Sequence, residues 1–485
     1  RSYARSRKVK SKDEAKKMSR LYAVEPVFTT TGAMADHRLR LGTARMTTFL
    51  AQLTAEVLEQ TNGDARLADF LRTRAKGLPI DPSWVAECAR DLVENKDESV
   101  VIPGSHLPGE AQQLVFFLNE QLGAVGKTVR YRELPAEETL SIRSLAGEME
   151  NGTVETLLLL GGNPAYDAPA DLDWTRLQKK VPQVIRYGYY YDETSLEAQV
   201  NIAAAHYLES WGDGRAFDGT YLPVQPMILP LFDALQELEL LALLAGMSVN
   251  DPYGLVLETF RKEFDRSGEG EKAFQRLLAT GFLPGSAFPE RTPSSLRSAS
   301  MRERFVGTEL AAPESGPEKL EIRLLPDASV GDGFHNNNGW LQECPDPMTK
   351  LTWDNAVIVS PALAEHLGFD TKSGDFLIGG VAKKSSNFKR GREESRIVEL
   401  TVDGVTVRGP VHILPGMDDW TVALPLGYGR RKVGRVGEGT GFDAYPLSRS
   451  GEGLTRRNGR LQLTEKGYRL GNTQEHWSME GRAIL

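Results

Sequence analysis

A short apolar run, Leu157-Leu158-Leu159-Leu160, ends abruptly in Gly161-Gly162-Asn163-Pro164. Four to six apolar residues closed by glycines and a proline describe a buried parallel strand entering a tight turn. Such a strand has to be covered on both faces, so the chain around it must supply alternating helices. The pattern does alternate. Leu21 to Val24 reads as a strand ended by Glu25-Pro26, and Thr43 to Gln60 has helical periodicity through Met46, Phe49, Leu50, Leu53, Val57 and Leu58. Trp84 to Glu94 reads as a helix, Val100 to Ile102 as a strand, and Glu110 to Leu122 as a helix; Val129 begins another strand. Leu172 to Lys180 then reads as a helix and Gln183 to Tyr187 as a strand. The sum is an α/β fold with a parallel sheet and helices on both faces, in which turns at the carboxyl ends of strands line a ligand crevice. Glu25, Gly104, Gly161, Gly162 and Asn163 fall at such ends.

Pro284 to Pro317 is rich in Pro, Ser, Gly and Arg with little periodicity, as expected of a linker or long surface crossing. Beyond it the period changes to two. Ile397 to Val402 and Val405 to Val407 flank Asp403-Gly404, the strongest short-range hairpin signal. Phe376 to Val381, Val411 to Leu414 and Thr421 to Leu424 add short strands, which makes a compact, barrel-like β domain. The domains are therefore 1–20, a basic linker or helix with nine Lys or Arg; 21–283, the α/β domain; 284–317, the linker; and 318–485, the β domain.

Composition excludes more than it assigns. A net charge of -8 argues against a general nucleic-acid binder. Two cysteines, Cys88 and Cys344, cannot hold an iron–sulfur cluster, which takes about four thiolates. There is no GxGxxG, P-loop or HExxH pattern, and the seven histidines are scattered. His206 and Glu209, three apart beside Trp211 and Asp213, could pair as acid and base or could serve as a hydrogen-bonded polar loop between domains. The Gly429-Arg430-Arg431-Lys432 segment could clamp a phosphate or be an exposed loop of the barrel.

Several longer blocks resemble one family. These are RLYAVEPVFTTTGAMADHRL (Arg20 to Leu39), GGNPAYDAPADL (Gly161 to Leu172), HYLESWGDGRAFDGTYLPVQPMILPL (His206 to Leu231), NNNGWLQECPDPMTKLTWDNAVIVSP (Asn336 to Pro361) and GYGRRKVGRVGEGTGFDAYPL (Gly427 to Leu447). In this order they resemble the molybdopterin-oxidoreductase superfamily, specifically the molybdopterin-like iron–sulfur subunit of alternative complex III, a bacterial quinol-oxidising respiratory complex. The resemblance extends over nearly all of the chain. It implies an αβα molybdopterin-oxidoreductase-like domain followed by a double-psi β-barrel.

In cofactor-binding relatives the strand end at Glu25 and the turn after His37 contact the dinucleotide, and that turn reads Pro-Gly-Thr-Asp. Here it is Leu41-Gly42-Thr43-Ala44, without the proline or the carboxylate. Glu25, Gly42, Thr43, Gly161, Gly162, Asn163, Gly429 and Arg430 are thus vestigial cofactor-binding candidates, with no catalytic or metal-ligating residue named. The resemblance implies no cofactor in this chain, with iron–sulfur clusters in a further ferredoxin-like C-terminal region. The chain is expected to be one piece of a longer or split subunit. The implied partners are a multihaem cytochrome c subunit, that ferredoxin-like domain and integral membrane quinol-binding subunits. The implied location is the periplasmic face of the cytoplasmic membrane, reached by the twin-arginine route. The alternative is a catalytic subunit of a molybdopterin-dependent oxidoreductase of the polysulfide or thiosulfate reductase type, which would bind molybdopterin guanine dinucleotide.

Overall fold

The computed structural model describes residues 2–15, 17–135, 139–247, 251–265, 267–295, 297–369 and 395–473. Near the N-terminus, β1 (Tyr22–Glu25) pairs in parallel with β2 (His37–Arg40). A helical layer follows, comprising Met46–Gln60, Ala65–Arg74, Pro82–Glu94 and Gly109–Gln121. Asp64 and Asp81 start two of these helices by accepting N–H groups of the first turn. Leu53, Val57, Leu67, Leu71, Leu114, Phe117 and Leu118 fuse the layer into one core. The 284–317 crossing runs back over this core, and its helix Ser298–Phe305 buries Met301 and Phe305 there.

The opening run forms β3 (Thr156–Leu160), which pairs in parallel with β4 (Gln183–Gly188), itself parallel to β5 (Val200–Ala203). The continuous parallel sheet expected from the alternation is divided, therefore, into a two-stranded and a three-stranded sheet. Val100 to Ile102 forms no strand. The Asn119 side chain takes the ladder's place, accepting the Val101 N–H and donating to the Val101 carbonyl, each at 2.9 Å. Val129 makes only an isolated bridge to Val125. The helix expected over Leu172 to Lys180 is shortened to Trp174–Gln178, because Asp173 adopts a left-handed φ of 48° just before it.

An antiparallel hairpin of β6 (Gly212–Arg215) and β7 (Tyr221–Val224) packs against the helices Pro252–Glu263 and Glu271–Thr280. The C-terminal part contains β8 (Leu320–Leu325), β9 (Leu351–Thr352), β10 (Val357–Val359), β11 (Ser395–Val402), β12 (Val405–Ile413), β13 (Thr421–Pro425), β14 (Thr455–Tyr468) and β15 (Gly471–Asn472). Six of them close a barrel in the order β10-β12-β11-β14-β8-β13. The β11–β12 hairpin turns at Asp403-Gly404 with φ of 48° and 80°, as a two-residue turn matched to strand twist requires. The strand expected at Phe376 to Val381 lies outside the described residues. Val27 joins Ile358, Leu414, Met417 and Ala423 in a small apolar seam where the N-terminal segment meets the barrel. Among the described residues no helix is long and apolar enough to cross a membrane.

Candidate functional site

The parallel sheet fixes the crevice. The strands β3, β4 and β5 run in one direction, so their carboxyl ends and the turns that follow open on one side. There lies a cavity of about 440 Å3 lined by Gly161, Gly162, Asn163, Arg186, Tyr189 and Arg430, among others. Four of the eight sequence candidates, Gly161, Gly162, Asn163 and Arg430, are thereby brought together, although Arg430 arrives from the barrel.

The turn is shaped by a charge inside the sheet. Arg186, on β4 and nearly fully buried, forms an ion pair with Asp192 at 2.8 Å. It also donates to the carbonyls of Gly161 at 2.7 Å, Gly162 at 2.5 Å and Tyr187 at 2.9 Å. Both glycines have φ above +60°, the left-handed region that other residues enter at a cost of about 1–2 kcal/mol. The Gly-Gly pair thus lets two consecutive carbonyls converge on one guanidinium.

A second carboxylate, Glu193, joins this turn to the barrel. Its Oε2 accepts from Asn163 Nδ2 at 2.8 Å and from Arg430 at 2.7 Å, while its Oε1 accepts the backbone N–H groups of Arg431 at 2.8 Å and Lys432 at 2.9 Å. Burial alone would push this carboxyl up, but Arg430, the Lys432 amide and Asn163 outweigh it and hold it at about 2. Arg430 donates further to the Gly333 carbonyl at 2.9 Å and lies over the Tyr166 ring at 5.4 Å. Gly429 supplies close approach rather than ligand contact: at φ 68°, a Cβ there would sit 2.1 Å from the Asp443 nitrogen.

The other candidates form a separate cluster. Glu25 is held by the Arg38 guanidinium at 2.7 Å and the Thr29 hydroxyl at 2.6 Å. Gly42 and Thr43 lie at the start of the long helix, where the N–H groups of Thr43 and Ala44 point at Glu321 of β8, 2.6 and 2.8 Å away. This is the arrangement by which a helix N-terminus takes an anion, here filled by a side chain of the same protein. Glu321 is buried, and that burial raises its carboxyl above the ordinary range despite the two donors, which pull it down.

His206 and Glu209 form a capping box on the short helix Tyr207–Glu209. His206 Nδ1 accepts from Leu208, and Glu209 accepts the His206 N–H at 3.0 Å and the Leu231 N–H at 3.2 Å. Both are engaged in shaping the loop, in keeping with the hydrogen-bonded polar loop rather than an acid–base pair. Cys88 is buried with its thiol pushed up to about 12 by desolvation, Cys344 is exposed, and both are free. No group of three or more metal-ligating side chains exists among the described residues.

Sequence reasoning missed Glu193, Glu321, Arg186 and the partly buried Asp167. Arg186 carried a signal, a charge between Ile185 and Tyr187 in an otherwise apolar strand. Glu321 and Arg323 alternate with Leu320, Ile322 and Leu324, which suggests a strand with a wet face, yet both are buried. Glu193 has no local signal.

No protein-family model and no curated protein matches the chain. Among solved structures, it is similar to acetylene hydratase from Pelobacter acetylenicus, with a TM-score of 0.64 at 13% identity, over 93% of this chain and 75% of that one. Likeness at that identity shows the fold alone: parallel αβ layers with a six-stranded closed barrel.

Proposed function

We propose that the chain is a non-catalytic, molybdopterin-oxidoreductase-like scaffold within the iron–sulfur subunit of a quinol-oxidising respiratory complex of the alternative complex III type. It holds no molybdenum cofactor, and its barrel is of the double-psi kind. Acetylene hydratase is a molybdopterin enzyme, so the shared fold supports the superfamily part of this reading. The observation that carries the non-catalytic part is Glu321. The backbone donors of the Gly42-Thr43-Ala44 turn, which would meet a dinucleotide in cofactor-binding relatives, are spent on an internal carboxylate. Arg430 and Asn163, the groups that would meet an anionic cofactor in the crevice, are likewise spent on Glu193.

The scaffold part draws support from an exposed apolar segment. Met227, Leu229, Leu231 and Phe232 are each 70% or more exposed, and Leu243 and Leu244 of the helix Glu237–Leu244 are more than half exposed. Exposed apolar side chains in such number are consistent with an interaction site. On this reading it is covered by neighbouring subunits: the multihaem cytochrome, the ferredoxin-like domain or the quinol-binding membrane subunits at the periplasmic face. The test is molybdenum and pterin analysis of the purified full-length protein. Less than a few hundredths of a mole of each per mole of protein is expected, and stoichiometric molybdenum overturns the reading in favour of a catalytic polysulfide- or thiosulfate-reductase-type subunit.

A further inference from the structure

The crevice at the ends of β3, β4 and β5 has a volume suited to a small ligand and a lining chemistry of its own. Its two cations are already neutralised, Arg186 by Asp192 and Arg430 by Glu193. The remaining charges in the lining are the carboxylates Asp167, Asp213, Glu237 and Asp332. A polyanion entering here meets uncompensated negative charge.

The lining also carries aromatic rings, among them Tyr189, Tyr190, Tyr207 and Phe334. Tyr190, Phe334 and Tyr189 form a row with ring centroids 6.5 and 5.7 Å apart, and His206 and Tyr207 extend it at 5.4 and 4.3 Å. These rings are not consumed by the core. Tyr189, Tyr190 and Phe334 each expose more than a third of their surface, and Tyr207 exposes 60%. Ring faces attract cations, and desolvated sites make the attraction worth most. Aromatic rings and carboxylates sharing one cavity are what an organic cation needs.

We propose that this crevice binds a small organic cation of the quaternary or alkylated ammonium class, with the tyrosine and Phe334 rings contacting the alkyl shell and Asp167 and Asp332 supplying the counter-charge. The inference rests on the reading that no dinucleotide fills the crevice.

The experiment is calorimetric titration of the full-length protein at pH 7.5 with three probes. These are choline, its neutral isostere 3,3-dimethylbutan-1-ol, and GDP as an anionic competitor. Choline is expected to bind at least tenfold more tightly than the neutral isostere, and GDP is expected not to displace it. Asp167→Asn, which conserves shape, is expected to weaken choline five- to tenfold. Tyr207→Leu, at an exposed position, is expected to weaken it severalfold with an unchanged melting temperature. Lowering the pH to 5 is expected to weaken binding as well, because burial and the nearby Asp332 push the Asp167 carboxyl up to about 6. Arg430 opposes that protonation, and Tyr445 lies in the same field. Equal affinity for choline and its isostere, displacement by GDP, or indifference to both substitutions overturns the proposal. Molybdenum in the protein overturns the scaffold reading whatever choline does. Molybdenum absent with no preference for choline overturns this inference alone.

Discussion

Replacing Glu321 with alanine isolates the contact that joins the first helical layer to the barrel. Glu321 accepts the N–H groups of Thr43 and Ala44 at 2.6 and 2.8 Å, and it is 6% exposed. Alanine leaves both donors without their acceptor, and a stranded buried donor costs about 1–3 kcal/mol. The lost attraction between the carboxylate and the start of the helix adds about 0.3–1 kcal/mol. Against this stands relief of a buried charge, since burial already raises the carboxyl above its ordinary range. The balance is a net loss of about 2–4 kcal/mol. Glu321→Gln keeps one carbonyl acceptor but turns an amide NH2 toward the other N–H, so about half that loss is expected. Urea unfolding of the full chain followed by far-UV circular dichroism measures both. An alanine variant within 0.5 kcal/mol of the parent would refute the claim that this carboxylate is needed to satisfy the helix start.

Three further outcomes follow from the same geometry. Arg430→Met is expected to destabilise by about 1–3 kcal/mol, because it removes the cation facing Glu193 while Asn163 and the Arg431 and Lys432 N–H groups remain, and a double-mutant cycle with Glu193→Gln is expected to recover about 1–2 kcal/mol of coupling; additivity of the two single changes would contradict the shared network. Burial pushes the Asp443 carboxyl up to about 6, with Arg431 opposing and Glu193 assisting. A raised native value means its contribution is whole at pH 3.5 and is lost as pH rises through 6, so Asp443→Asn is expected to match the parent at pH 3.5 and exceed it by about 1–2 kcal/mol at pH 8, read from melting curves at both values. Leu229→Ser combined with Phe232→Ser is expected to change the stability of the isolated chain by less than about 0.5 kcal/mol, since both side chains are exposed, yet, under the proposed scaffold role, to impair assembly with partner subunits, measured by size-exclusion chromatography.

What was legible in the sequence had local causes. The β11–β12 hairpin announces itself because alternation and Asp403-Gly404 lie within a dozen residues of each other. The β3 strand is visible because it is apolar and ends in Gly161-Gly162-Asn163-Pro164, and β4 because Val184, Ile185 and Tyr187 form a short apolar stretch around Arg186. The short strands β5, β6 and β7 were not visible: Val200–Ala203 is mostly exposed, and Gly212–Arg215 contains no apolar residue. Gly161, Gly162, Asn163 and Arg430 were found as candidates, but not what they touch. Glu193 meets Arg430 across 237 positions and Glu321 meets Thr43 across 278, and no pattern within a window of residues encodes such partners.

The seam between the N-terminal segment and the barrel has a consequence during synthesis. Val27 packs with Met417 and Ala423, the Asp418 N–H donates to the Pro26 carbonyl at 2.8 Å, and Thr43 waits on Glu321. At elongation rates of roughly 5–20 residues per second, Val27 stands without its barrel partners for about 20–80 s. Throughout that interval the β1–β2 pair can pack on the helical layer through Tyr22, Val24 and Leu39 but lacks its contacts to the barrel. Closure of the barrel, rather than synthesis of the N-terminal segment itself, is therefore the event that completes the surroundings of Val27 and Thr43.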